Sequence, residues 1–376
     1  MLEKINLSKI NIFIFVLMFF SKSITDALFV QYNINSPLTY IKYVLLAVSF
    51  MLSILILYKK NIRSFNLFNE TKSIIIMCIS LMLISFFYSL SSMKFSFSSI
   101  YEVLAILVPC IYVFVFFNSL EHNDMYWCFL WVLLISILSY VFFEVGIENF
   151  TISNLKSISW DDSYSIFESH YTAALSFELA LFFIIDDRKK IVTIISIVFC
   201  LFTFKRILIL GIIIAIIFKI IQKVFRFNIK SKKYSYLFFA LSFTFLTIIY
   251  YYILRNNLLN LDFSALNKIT MSRYSFFQRL YNSDYISYGL SSSTEFLEKN
   301  IEMDLIRYLF EIGPIGLAIF CVGMFKFSNR NSSGQMIMIC NFLVLLTSHT
   351  LLEVFTWILI FIIIFSTDRI GAKKYE

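Results

Sequence analysis

From near its first residue to near its last, the chain alternates stretches of about twenty apolar residues with short polar punctuation. That length matches what a helix needs to cross a hydrocarbon core roughly 30 Å thick. Twelve such stretches predict twelve spanning helices, at about 10–30, 38–58, 72–91, 98–118, 125–146, 166–186, 191–204, 205–225, 235–254, 304–325, 335–349 and 352–366. Only Ser348 to Glu353 separates the last two, so they also read as one long broken helix. The expected fold class is an all-α polytopic membrane protein.

One interval interrupts the pattern. Residues 255–303 are polar, basic and aromatic (RNNLLNLDFSALNKITMSRYSFFQRLYNSDYISYGLSSSTEFLEKNIEM), and they lead into a helix whose first turns carry Asp304, Arg307 and Glu311. The chain therefore divides into nine helices with short loops over 1–254, one large loop over 255–303, and three further helices with a tail over 304–376. A bilayer has no water to satisfy ionisable side chains, so charges at the mouth of a membrane helix mark a functional candidate.

Composition strengthens this picture. With 59% hydrophobic and 15% charged residues, the chain has too little polar surface for a water-soluble globule. The formal charge of +8 suggests nucleic acid until its distribution is considered. Lysines and arginines gather in alternate short loops, among them Lys59, Lys60, Arg63, Arg188, Lys189, Lys190, Lys232 and Lys233. This is the positive-inside asymmetry, which predicts both termini in the cytoplasm, the 255–303 loop outside it, and no nucleic-acid partner. The first span, with no small-residue cleavage site after it, is expected to stay as a signal anchor. All six cysteines fall within apolar spans, which leaves no disulfide framework or zinc site encoded. The absence of a phosphate-binding glycine loop, HExxH or GxSxG disfavours a nucleotide-driven pump and a membrane protease.

The candidate groups follow from where charge persists against these rules. Lys205 and Arg206, in LFTFKRILILG, sit at a turn between two spans on the outer side, where they either bind an anion or snorkel to headgroups. Arg273 and Arg279 flank aromatics in MSRYSFFQRLY, expected as a short amphipathic surface helix. It is either a clamp on phosphate and sugar, with Tyr274, Phe276 and Phe277 as stacking faces, or an interfacial anchor. Glu302 lacks the helical partners that Asp304, Arg307 and Glu311 find in one another at spacings of three and four. That makes it the candidate general base, against the plainer reading of an exposed acid at a helix start. Gly313 and Gly316 around Pro314 predict a break or close packing in the tenth span. His170 and His349 read more readily as satisfied polar groups than as catalysts. Lys22 and Asp26, one turn apart, are expected to pair. Asp161–Asp162 offers too few ligands for a divalent cation. In-span charges concentrate in the outer half, as a polar cavity opening outward would require.

Four of these features together resemble the O-antigen polymerase (Wzy) and O-antigen ligase superfamily. They are about twelve spans, a polar-then-arginine step between two central spans (FTFKRILILG), a large late outer loop with an S-R-Y element (MSRY), and a following helix with GxxG (EIGPIG). The resemblance implies a GT-C-like membrane fold in the bacterial inner membrane. It also implies a cofactor-free, metal-independent glycosyltransferase acting on undecaprenyl-diphosphate-linked oligosaccharides outside the cytoplasm. Membrane lipids and a polysaccharide chain-length regulator are the other implied partners. Arg206 and Arg273 match the arginines that hold the diphosphate, with Glu302 as the catalytic partner. Lys205, Arg279, Tyr274, Arg307 and His170 fill out the substrate-binding set. Ligases typically carry His-Asn eleven residues before GxxG; here Glu302 and Met303 stand there, which favours the polymerase. The alternatives are an O-antigen ligase moving glycan to lipid A core, and a lipid-linked oligosaccharide flippase.

Overall fold

The computed structural model describes residues 7–32, 37–60, 68–156, 166–169, 172–203, 205–225, 234–258 and 260–372. These residues are all-helical. In chain order the α-helices are α1 (Leu7–Tyr32), α2 (Ile41–Lys59), α3 (Phe68–Ser92), α4 (Ser98–Ser119), α5 (His122–Ser139), α6 (Ile152–Lys156), α7 (Thr172–Ile185) and α8 (Lys190–Phe202). They continue as α9 (Arg206–Phe225), α10 (Ser235–Asn256), α11 (Phe263–Ile269), α12 (Arg273–Asn282), α13 (Ser292–Leu297), α14 (Asp304–Phe327), α15 (Ser332–Thr347) and α16 (Val354–Ala372).

Among the described residues, eight helices are long and apolar enough to cross a membrane: α1 to α5, α9, α10 and α14. The chain is thus a multi-pass membrane protein. Four further apolar helices, α7, α8, α15 and the apolar part of α16, have only 10–17 residues each. Polar residues shorten them. Thr203 closes α8 in a turn, and Ser348, in extended backbone, ends α15 before α16 begins at Val354. The last two apolar stretches are therefore two helices.

The described chain forms two compact units. The first comprises residues 1–68, 111–225 and 358–376. Here α1 packs on α2 and α5, and α7 packs on α8 and α9. Several polar groups inside it pair with one another: Asn11 donates to Ser53 at 2.8 Å and accepts from Ser49 at 2.7 Å. Lys22 pairs with Asp26 at 2.6 Å as its one-turn spacing predicts, and Lys42 joins the same carboxylate at 3.2 Å. Thr172 donates to Glu144 at 2.5 Å.

The second unit comprises residues 69–110 and 226–357. Its centre is α14, packed against α10 and α15. The break expected in this helix falls at Gly313, whose φ of 68° with ψ of −178° is a combination only glycine adopts readily, immediately before Pro314 removes an amide donor. An apolar groove of about 450 Å³ runs below the break between α3 and α14, from Pro314 and Ile315 to Lys326.

The residues between α10 and α14 fold over the ends of these helices as three short helices with a core of their own. Leu266, Tyr274, Phe277, Leu280, Leu297, Ile301 and Met303 bury one another against Leu254 of α10 and Ile306 of α14. Phe277 meets the rings of Tyr251 and Phe310 at centroid distances of 5.4 and 5.5 Å. A loop with this much apolar contact is a fixed platform, because each buried side chain contributes on the order of 1.5–3 kcal/mol.

Candidate functional site

Two clusters in the second unit converge on the N-terminal end of α14. The first joins the platform to that end. Arg273 opens α12, whose start is secured by Thr270: its hydroxyl accepts from the Tyr274 N–H at 3.0 Å. The Arg273 Nε and Nη2 both donate to Glu302 Oε2, at 3.2 and 2.8 Å. The guanidinium is 15% exposed and the Glu302 carboxylate 51%. A pair this open contributes little stability. What it does is aim the guanidinium, and among the described residues the Nη1 edge has no protein partner.

Glu302, expected as an unpaired carboxylate, is thus corrected: it is the counter-ion of Arg273. Its carboxylate oxygen is occupied by two N–H donors of Arg273, an arrangement that favours a positioning role. Twenty-nine residues separate the two partners, which is why helical spacing alone does not reveal the pair.

The second cluster lies just inside. Arg307 is fully buried, donating through Nη1 and Nη2 to the Glu102 carboxylate of α4. Asp304 and Glu311, one turn to either side, lie 3.6 and 3.8 Å from the guanidinium. Platform residues complete the arrangement: Ser291 donates to Glu102 at 2.5 Å and Ser293 to Glu311 at 2.5 Å. Arg307 was expected to face substrate, but with no exposed surface it ties α14 to α4 instead, and the platform serines join through the same carboxylates. Its i,i+3 and i,i+4 neighbours were legible in sequence, whereas Glu102, 205 residues away, was not.

Asp304 does more than balance Arg307. Its Oδ2 accepts from the backbone N–H groups of Thr350 and Leu351, at 2.8 and 2.9 Å, and its Oδ1 lies 2.9 Å from His349 Nδ1. The turn between α15 and α16 is therefore tied to the mouth of α14. The His349 imidazole keeps 19% exposure.

Comparison with protein-family models, curated proteins and solved structures finds no match. The site must be read from its own chemistry.

The other expected residues are distributed as follows. Tyr274 is buried in the platform core, its hydroxyl accepting from Gln278 at 2.6 Å, so it supports Arg273 and does not offer a stacking face. Arg279 is exposed on the far part of α12. Lys205 and Arg206 belong to the first unit, half-buried at the start of α9. His170 and the Asp161–Asp162 pair lie outside the described residues. Among the described residues no cluster of three or more histidine, cysteine or acidic side chains is arranged to hold a metal ion.

Proposed function

We propose that this protein is a polysaccharide polymerase of the O-antigen polymerase (Wzy) kind. In this reading the chain is a GT-C-like fold of about twelve spans in a bacterial inner membrane, with both termini cytoplasmic and the 255–303 loop on the opposite side. It transfers a growing glycan from one undecaprenyl diphosphate to the hydroxyl of a single lipid-linked repeat unit. The glycan's anomeric carbon gains a bond to the acceptor oxygen and loses its bond to the diphosphate, which departs with the electron pair.

The observation that carries the proposal is the Arg273–Glu302 pair. A diphosphate leaving group needs its growing negative charge stabilised, and a guanidinium held in place before the reaction supplies this without reorganisation. Arg273 is held in this way, on a platform with its own apolar core, with one edge of its fork unpartnered among the described residues. Lys205 and Arg206 add a second cationic element. By the resemblance they are further candidates to bind the same class of anion, Arg206 as the first residue of α9 and Lys205 just before it.

The test is a deletion strain complemented with Arg273→Ala and Arg273→Lys. With alanine the polymer ladder is expected to collapse to the single-repeat form, polymer yield dropping by about a hundredfold. With lysine, which keeps the charge but loses the fork, it should recover in part. An unchanged ladder in R273A would end the proposal. The deletion strain itself separates the alternatives: a core bearing one repeat marks a polymerase, no repeat a ligase, and lipid-linked units stranded on the inner leaflet a flippase.

A further inference from the structure

We infer that His349, oriented by Asp304, is the general base that takes the proton from the acceptor hydroxyl; this inference rests on the transfer reaction proposed above. The geometry begins with the carboxylate. Asp304 is fully buried and cannot swing, because two backbone amides hold Oδ2 and the Arg307 Nε lies 3.6 Å from Oδ1. Its Oδ1 in turn fixes the imidazole through Nδ1 at 2.9 Å. The carboxylate thereby selects the tautomer with the proton on Nδ1 and the lone pair on Nε2, the form a base requires. Among the described residues Nε2 has no protein hydrogen-bond partner, and the ring keeps part of its surface open.

Placement supports the same role. Asp304 follows Glu302 by two residues, so the Cα atoms carrying the carboxylates that hold His349 and Arg273 lie within about 7 Å of each other. A base and a diphosphate-binding cation anchored this close can reach the two ends of one reacting sugar linkage. In the transfer, Nε2 accepts the hydroxyl proton as the oxygen bonds to the anomeric carbon. The carbon–oxygen bond to the diphosphate breaks, and the leaving charge falls on Arg273. The imidazolium that forms is stabilised by Asp304 and afterwards returns its proton to water.

The charged groups facing His349 are Asp304 and Arg307 of α14 and Glu353, just before α16. Burial alone would pull the imidazole below its ordinary range, but the charge and hydrogen bond of Asp304 outweigh that and raise it. Because the neutral ring is the active form, the rate should climb with pH, on a limb centred above the ordinary histidine value of 6.5.

The experiment uses membranes containing the full-length chain and, as both donor and acceptor, the lipid-linked repeat unit that the deletion strain accumulates. Initial rates are followed from about pH 5 to about pH 8. His349→Gln should cut kcat by about a hundredfold or more and abolish the rising limb. Its KM and its binding of undecaprenyl diphosphate should match the wild type, which also shows that the variant is folded. Asp304→Asn should move the limb to lower pH, a displacement that a merely structural hydrogen bond would not produce. If H349Q turns over at the wild-type rate, or D304N leaves the limb in place while R273A is inactive, His349 is not the base and the polymerase reading survives. If the wild-type protein leaves the extracted unit unchanged, that reading fails and the base assignment falls with it.

Discussion

Replacing Arg307 with alanine is expected to cost about 3–5 kcal/mol of stability, because it strands buried carboxylates without their counter-ion. Glu102, Asp304 and Glu311 are each at most 1% exposed, and Arg307 is the cation common to all three. Thermal melting of the purified protein in detergent should show a large drop and a reduced yield of monodisperse material. Arg307→Lys should fall between, since an ammonium keeps the charge but cannot span Glu102 with a fork. The origin of the loss is checked by the triple variant R307M/E102Q/E311Q, which removes two of the three carboxylate charges with the arginine, leaves Asp304 to the Thr350 and Leu351 amides and His349, and should recover much of it. A buried pair exchanged for neutral groups of similar volume is often near neutral. An R307A protein that melts with the wild type would mean that the cluster does not hold the second unit together.

Gly289→Ala is the other substitution with a large expected effect. The platform here lies directly on α3: Leu290 N–H donates to Ser85 Oγ at 3.1 Å, and Ser89 Oγ donates to the Tyr288 carbonyl at 2.8 Å. Gly289 has a φ of +107°, and a Cβ there would stand 2.2 Å from Ser85 Oγ and 2.8 Å from the Ser85 carbonyl oxygen. Backbone strain of about 1–3 kcal/mol adds to a similar overpacking cost, for a total of roughly 3 kcal/mol. Melting temperature and protease sensitivity of the 257–303 segment report the change. Combining G289A with Ser85→Gly removes the hydroxyl but not the helix carbonyl, so only partial rescue is expected. Full rescue would show that the close approach is to the side chain alone. The proposed polymerase activity should fall with stability, because Ser291 and Ser293, which follow Gly289, bind Glu102 and Glu311.

The elements themselves were largely legible. Every apolar stretch named from hydropathy contains a helix, the break at Gly313 falls beside Pro314 where small residues suggested one, and Lys22 pairs with Asp26 as their spacing requires. The run around Arg273 forms the helix its pattern suggested, but its aromatic side turns inward: Tyr274 and Phe277 form a core with residues that arrive from α10, α13 and α14. No window of sequence contains that core.

What the chain alone determined is thus its partition between lipid and water and the local pairs within one helical turn. Each residue's transfer energy and each i,i+4 contact are properties of a short window. Tertiary structure decided which charges meet. Glu102 reaches Arg307 across 205 residues, and His349 reaches Asp304 across 45, because the packing of α4, α14 and α15 brings them into one interior. In that interior an unmatched charge is too costly to leave alone, so the partner of each ionisable group is set by which helices pack together, a choice that hydrophobic periodicity does not encode.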